Sequence, residues 1–363
     1  MSCRGLGGAI ALAAMGCSAV APSHAPAERP VETASGATGR AILPLAVADG
    51  GRALGDAGSV GSVNPAPGAD AGTGSGDTAP AAGGAKACPD DMVLVDADYC
   101  TDLEVRCLEQ WHAPQNHLWV CEKVAEPTRC LGPTRHLRFC IDRYEFPNRA
   151  GVRPMVMQNF YQAEVHCAKR GKRLCTESEW TKACEGPDNR PFPYGYVRDP
   201  SKCRGDRPWD FPVKEKLLAR EPAEIERLWQ GVPSGSQPDC ISGYGVHDMP
   251  GNADELAASE HSGRAGKDDF DNVTTGGPWY KGVRNMCRPK IYTHDESFAY
   301  YYLSWRCCQE PDGKPTEPRA PKQLKRGMSW ERVLYLAEHS WLLPFNPKVP
   351  GDPGYSAAGP DRP

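Results

Sequence analysis

The chain has 363 residues, of which 40% are apolar and 24% charged, with 38 Gly, 35 Pro and 16 Cys. That length accommodates one large domain or two ordinary ones, and a net charge of −4 supplies no basic field for nucleic acid. No segment is apolar for the roughly 18 or more residues that a membrane-spanning helix requires, which argues against a polytopic membrane protein.

Residues 1–17 have the layout of an export signal: one basic residue, Arg4, an apolar run to Met15, then small residues. Ala14-Met15-Gly16-Cys17 reads as a lipoprotein cleavage site, which makes Cys17 the lipidated N-terminus of a protein anchored to a membrane surface of the bacterial cell envelope. Ordinary cleavage at Ala19-Val20-Ala21 is the alternative, and it gives a periplasmic or secreted protein. Residues 18–87 are mostly Ala, Gly, Pro, Ser, Thr and Asp, and every Phe, Trp and Tyr lies at or after Tyr99. Such a stretch buries too little apolar surface to offset its ordering entropy, and it reads as a disordered tether.

Fourteen cysteines follow, all between Cys88 and Cys308. An even number confined to one region predicts a disulfide framework formed in an oxidising compartment. The chain has no Cys-x-x-Cys pair. Cys107, His112, His117 and Cys121 have the residue types of a tetrahedral zinc site, but in an exported chain a bridge with two surface histidines is the better reading.

Met92-Val93-Leu94-Val95 and Phe139-Cys140-Ile141 read as short strands. Asn159 and Gln162 open a helix that Gly171 closes, and Thr176-Glu177-Ser178-Glu179 is a capping box that starts another. Tyr300-Tyr301-Tyr302-Leu303 and Ser304-Trp305-Arg306-Cys307 read as further strands. Few helices, short strands and long bridged loops predict an irregular α+β domain over residues 88–310. Residues 311–363 read as a Pro-rich tail with one short helix from Ser329 to Trp341.

The chain lacks a P-loop, a His-Glu-x-x-His pair and a Gly-x-Ser-x-Gly elbow. It carries instead a series of short motifs in a fixed order. They are Ile141-Asp142-Arg143-Tyr144-Glu145-Phe146-Pro147-Asn148; Gly171-Lys172-Arg173-Leu174-Cys175-Thr176-Glu177-Ser178-Glu179-Trp180; Pro193-Tyr194-Gly195; Gly243-Tyr244-Gly245-Val246-His247-Asp248-Met249-Pro250-Gly251-Asn252-Ala253-Asp254-Glu255; Gly276-Gly277-Pro278-Trp279; and Ser304-Trp305-Arg306-Cys307. In this order, across about residues 90–308, they resemble the formylglycine-generating enzyme, or sulfatase-modifying-factor, family.

The resemblance implies a C-type-lectin-like fold with little regular structure, and a calcium site at Asp248, Gly251, Ala253 and Glu255. Two carboxylates and two backbone carbonyls are the all-oxygen set that calcium takes. The family's second calcium position falls on Arg204, a poor neighbour for a cation, and Asp268, Asp269 and Asp271 read as a solvated loop. The resemblance also implies bridges from Cys167 to Cys307 and from Cys184 to Cys287.

Formylglycine-forming members of the family hold copper through two cysteines after the Gly-Gly strand and oxidise a substrate cysteine with O₂. Here only Cys287 follows before Cys307, and a single soft ligand argues against copper. Iron on His247, His294, Asp295 and Glu296 is likewise disfavoured against a polar loop and a surface histidine. The expected function is a calcium-bearing domain that recognises a peptide or other envelope ligand, touches the membrane only through its anchor and binds no nucleic acid. The alternatives are an O₂-dependent metal oxidoreductase acting on a thiol-bearing peptide, and a structural lipoprotein.

Overall fold

The computed structural model describes residues 86–113, 118–262, 269–280 and 282–340. In chain order the strands are β1 (Met92–Cys100), β2 (Leu103–Glu104), β3 (Cys107–Ala113), β4 (Leu118–Val124), β5 (Arg129–Cys130), β6 (Thr134–Asp142), β7 (Arg173–Leu174), β8 (Asp254–Ala258), β9 (Asn272–Thr275), β10 (Lys290–Ile291), β11 (Leu303–Trp305) and β12 (Cys307–Gln309). The helices are α1 (Phe160–Ala168), α2 (Glu177–Glu185), α3 (Lys214–Leu218), α4 (Pro222–Leu228), α5 (Pro321–Lys325) and α6 (Trp330–His339). Among the described residues no helix is long and apolar enough to cross a membrane.

Two four-stranded sheets organise the domain, in the orders β1-β6-β12-β7 and β10-β9-β8-β11. β11 runs parallel to β8, with Ser304 opposite Glu255, and the chain passes straight on into β12 of the other sheet. The segment 303–309 therefore belongs to both sheets. The fold is the irregular α+β arrangement expected, with strands that are mostly two to five residues long outside the β1–β6 and β3–β4 pairs.

Both sequence-marked helices start as their caps dictate. The Asn159 side chain accepts from the amide of Gln162, and the Gln162 side chain returns to the amide of Asn159. Thr176 and Glu179 make the same reciprocal pair at α2. Arg173 holds the Glu179 carboxylate from outside the helix, through two bonds of 2.7 Å.

One core cluster joins α1, β8, β11 and the aromatic segment around Trp279 and Tyr301, with Trp305 and Phe146 stacked at 4.4 Å. A second packs Val95, Phe139 and Ile141 against Trp180, Cys184 and Met249. Tyr300, Tyr301 and Tyr302 precede β11 rather than extending it: Tyr301 and Tyr302 are buried in the first cluster, where bulky rings fill volume that a regular ladder would leave.

The folded body extends beyond residue 310. Val333, Leu336 and Ala337 lie on one face of α6 at spacings of three and four, and all three are buried in the core cluster beside α1. The Ala320 amide and the Gln323 side chain donate to the buried Glu164 carboxylate at 3.1 and 2.9 Å. Asp271, expected in a solvated loop, is 1% exposed and paired with Arg326 at 2.6 Å, because α5 covers it. Asp269 is paired with Lys322 at 2.7 Å, and Asp268 lies outside the described residues.

Leu336→Ala should therefore lower the unfolding free energy by about 2–4 kcal/mol, as deletion of a buried leucine does. Leu334→Ala, at a 38% exposed position on the same helix, should change it by less than about 1 kcal/mol. Urea denaturation of the full chain distinguishes them, and equal small effects would show that residues 311–340 are not part of the core.

Candidate cation site around residues 248–255

The loop from Asp248 to Glu255 has a backbone that its sequence permits at few other places. Asp248, Gly251 and Asn252 all have positive φ, of 61°, 94° and 45°. A Cβ at Gly251 would lie 2.6 Å from the Arg204 carbonyl oxygen, so glycine is required by space as well as by conformation. The Asn252 amide donates to that same oxygen at 3.0 Å. The Asn252 side chain closes the loop, accepting from the Val232 amide at 2.7 Å and donating to Glu145 at 2.8 Å.

Three buried carboxylates lie in this region, Glu145, Asp248 and Glu255, each no more than 1% exposed. Glu145 also accepts from the Ser234 hydroxyl at 2.6 Å, and Asp248 Oδ2 accepts from the Gly235 amide at 2.7 Å. Glu255, on β8, faces Arg306: Nε and Nη2 of the guanidinium lie 2.9–3.0 Å from the carboxylate oxygens. The Trp180 indole N–H donates to Glu255 Oε2 at 3.0 Å. Arg306 is itself fully buried and also donates to the carbonyls of Arg143 and His247, at 3.1 and 2.6 Å.

The balance is anionic, because three buried carboxyl groups face one guanidinium. Burial, and after it the charge of Glu145, pushes the Asp248 carboxyl up to about 8. Burial and Glu145 also raise Glu255, to about 7, against the opposing pull of Arg306. Asp248 Oδ1 is buried without a hydrogen-bond partner. Such a group takes up a proton or a cation.

Among the described residues no three His, Cys, Asp or Glu side chains converge as a metal-binding group. A cation here would therefore be held by Asp248 and Glu255 together with backbone carbonyls of Gly251 and Ala253, a set that suits calcium and not a soft metal. The unpartnered Asp248 oxygen fits that role. The Arg204 guanidinium donates to the Gln230 carbonyl at 2.8 Å, while its backbone carbonyl accepts from the loop at Asn252.

The copper ligands do not fit. Seven bridges use all fourteen cysteines from Cys88 to Cys308. Cys167 is bonded to Cys307 and Cys184 to Cys287, so Cys287 offers no thiolate. Cys107 is bonded to Cys121, which leaves no zinc thiolates there; His117 lies outside the described residues, as does Cys17. His294 stacks on Phe298 at 3.9 Å and the His247 ring lies tilted 5.0 Å from Tyr144, and the structure does not gather them with Asp295 and Glu296 into a metal group.

Several residues that shape the site carry no obvious signal of their own in the sequence. Arg284 makes two bonds of 2.8 Å to the buried Asp254 carboxylate. The Asn285 side chain donates to the carbonyls of Gly276, Gly277 and Pro278 at 3.2–3.3 Å, clamping the Gly-Gly turn against the loop. Glu145 and Arg306 stand inside the motifs, but the partners they meet across the core, Asn252 and Glu255, are invisible in one dimension.

Residues 135–310 match the family model of the sulfatase-modifying factor enzyme 1-like domain. This segment is a sulfatase-modifying-factor domain. The chain is 30% identical over 129 residues to inactive C-alpha-formylglycine-generating enzyme 2 of Bos taurus, a match covering 35% of this chain and 38% of that relative's length. Among solved structures, PvdO from Pseudomonas aeruginosa is 14% identical with a TM-score of 0.39, covering 62% of this chain and 97% of that one. CarF is likewise 14% identical with a TM-score of 0.39, covering 61% and 98%.

Arg306→Met in this sulfatase-modifying-factor domain would leave Glu255 buried without its cation. We expect a loss of about 3–5 kcal/mol, the cost of an unpaired buried charge. The double variant Arg306→Met, Glu255→Gln should recover a large part of it in denaturant unfolding. A single variant as stable as wild type would remove the ion pair from the account.

Proposed function

We propose that this chain is an exported, lipid-anchored sulfatase-modifying-factor domain that binds an extended peptide or other cell-envelope ligand and does not synthesise formylglycine through copper. The observation that carries this reading is the engagement of every cysteine between residues 88 and 308 in a bridge. Cu(I) is selected by soft thiolates, and a bridged sulfur is not one. Seven bridges also accord with an oxidising compartment outside the cytoplasm. The matched relative of Bos taurus is itself named inactive, which agrees with a domain that retains the scaffold without the chemistry.

Calcium is the cofactor we propose, held at Asp248, Gly251, Ala253 and Glu255. When bound it supplies positive charge against the buried carboxylates and fixes the 248–255 loop, against which the Gly276-Gly277 turn rests. The Gly251 amide donates to the Gly276 carbonyl at 3.2 Å, so the loop and the turn are directly connected. Attachment to the membrane is proposed to rest on lipid at Cys17, since two acyl chains give lasting anchorage where one does not.

Metal analysis of the purified full chain, combined with O₂ uptake on a cysteine-bearing peptide, tests the reading. Calcium at about one equivalent should be retained, with neither copper nor iron and no O₂ consumed. Free calcium at about 100 times its dissociation constant should add about 2.7 kcal/mol of stability by mass action, and Glu255→Gln should abolish that gain. Stoichiometric copper with O₂ uptake would establish the oxidoreductase instead. For the anchor, labelled fatty acid should enter wild-type protein, and Cys17→Ala should move it from the membrane fraction to the soluble one; unlabelled soluble wild type contradicts the proposal.

A further inference from the structure

Among the described residues, four large apolar side chains stand in solvent within one short stretch: Trp209, Phe211, Val213 and Leu218 are 37%, 76%, 43% and 74% exposed. Trp209 and Phe211 are neighbours in space, with ring centroids 4.4 Å apart. Val213 continues the alternation on extended backbone, at φ −75° and ψ 103°, and leads into α3, where Leu217 is buried and Leu218 is not. Single exposed apolar residues are ordinary on a protein surface, but a group of this kind marks a site of contact.

The stretch is braced from the domain side. The Arg207 amide donates to the Trp279 carbonyl at 2.9 Å. The Gln230 side chain donates to the Pro208 carbonyl at 2.7 Å, the Arg227 guanidinium to the Phe211 carbonyl at 2.9 Å, and the Val213 amide to the Glu224 carboxylate at 2.7 Å. The Trp209 indole N–H donates to the Tyr301 hydroxyl at 2.7 Å, which ties this exposed ring to a buried one. Polar groups are thus engaged inward while the apolar side chains are presented outward.

The local charge is opposite in sign to that of the whole chain. Residues 202–221 carry six basic and four acidic side chains, within a chain whose net charge is −4. Arg207, Lys214 and Lys216 are exposed beside the apolar residues, Lys216 with Glu221 at 4.0 Å. The acids that follow on α4 are met by cations of the same surface, Glu224 by Arg227 at 2.6 Å and Glu226 by Arg153.

Shape and charge together select the partner. Side chains as exposed as Phe211 and Leu218 stand clear of their surroundings and line no groove. A folded partner would need a matching pocket for each, whereas a lipid layer deforms around them. Trp, Phe and Leu beside Lys is also the composition that enters the boundary between headgroups and acyl chains. The cations set the lipid class, since Lys and Arg are drawn to anionic headgroups.

We propose that residues 207–218 are a membrane contact, in which Trp209, Phe211, Val213 and Leu218 enter the headgroup boundary of an anionic lipid layer and Arg207, Lys214 and Lys216 meet its phosphates. The contact goes beyond the expectation that the membrane is met only through an anchor, and it does not depend on lipid at Cys17. By itself it is reversible, as the hold of a single buried acyl chain is.

The chain from residue 22 onward, the product of ordinary cleavage after Ala21, keeps every described residue and carries no lipid, so it tests the contact alone. It should sediment with vesicles of equal parts phosphatidylglycerol and phosphatidylcholine, and bind vesicles of phosphatidylcholine about tenfold less tightly. Phe211→Ser with Leu218→Ser, at positions exposed enough to leave the urea midpoint unchanged, should weaken binding to the mixed vesicles by about tenfold or more. Lys214→Glu with Lys216→Glu should remove the preference for the anionic lipid. Lipids brominated along their acyl chains should quench tryptophan emission, and Trp209→Phe should remove most of that quenching. Absence of binding to either vesicle, or binding that the Phe211→Ser, Leu218→Ser variant retains in full, would overturn the proposal. Self-association without lipid that the same variant abolishes would overturn it too, by making a second copy the occupant.

Discussion

A guanidinium buried at the centre of the domain is the constraint on which the rest of the architecture depends. Arg306 cannot shed its charge, so each of its donors has to be met inside the protein. It meets Glu255 on β8 and two backbone carbonyls, of Arg143 after β6 and His247 at the start of the loop. Its neighbours in sequence extend the same junction: Trp305 stacks on Phe146, Cys307 is bonded to Cys167 of α1, and Cys308 to Cys175 just before α2. Four consecutive residues thus fix both sheets, both capped helices and the 248–255 loop relative to one another. With strands this short, ladder hydrogen bonds alone would not do so.

The bridges carry the same logic into the unfolded state. Those at Cys167, Cys175 and Cys184 close sequence separations of 140, 133 and 103 residues. Chain entropy assigns each an upper value of about 4–5 kcal/mol, and because they close overlapping loops the values do not add. A domain stapled in this way can keep an irregular, loop-rich surface, and it has no thiolate left for redox chemistry. The bridges that stiffen the scaffold also occupy every cysteine from 88 to 308.

Much of this was legible from local pattern. The capping boxes at Asn159 and Thr176 specify their own hydrogen bonds within four residues, and the structure contains both. The motif order identified the family that residues 135–310 match. The features that escaped depend on distant partners. Composition made residues 311–340 look like a tail: the helix after Ser329 was marked, but the burial of Val333, Leu336 and Ala337 depends on the surface that α1 supplies. Asp271 read as solvated for the same reason, since its cover, Arg326, lies 55 positions away. The short helices α3 and α4 lack side-chain caps, leaving little local mark beyond the proline that starts α4. Glu145 was quoted as part of a motif, but nothing in its neighbours announces that it faces Asp248 across a buried loop.

The central claim is that every cysteine from residue 88 to 308 in this sulfatase-modifying-factor chain is held in a bridge, so that none is free to ligate copper. Non-reducing peptide mapping of the full chain, after alkylation under denaturing conditions without reductant, tests it most directly. The account predicts no alkylated cysteine between residues 88 and 308, and recovery of Cys184 linked to Cys287 and Cys167 linked to Cys307. Alkylated Cys287 together with a second alkylated cysteine would contradict it.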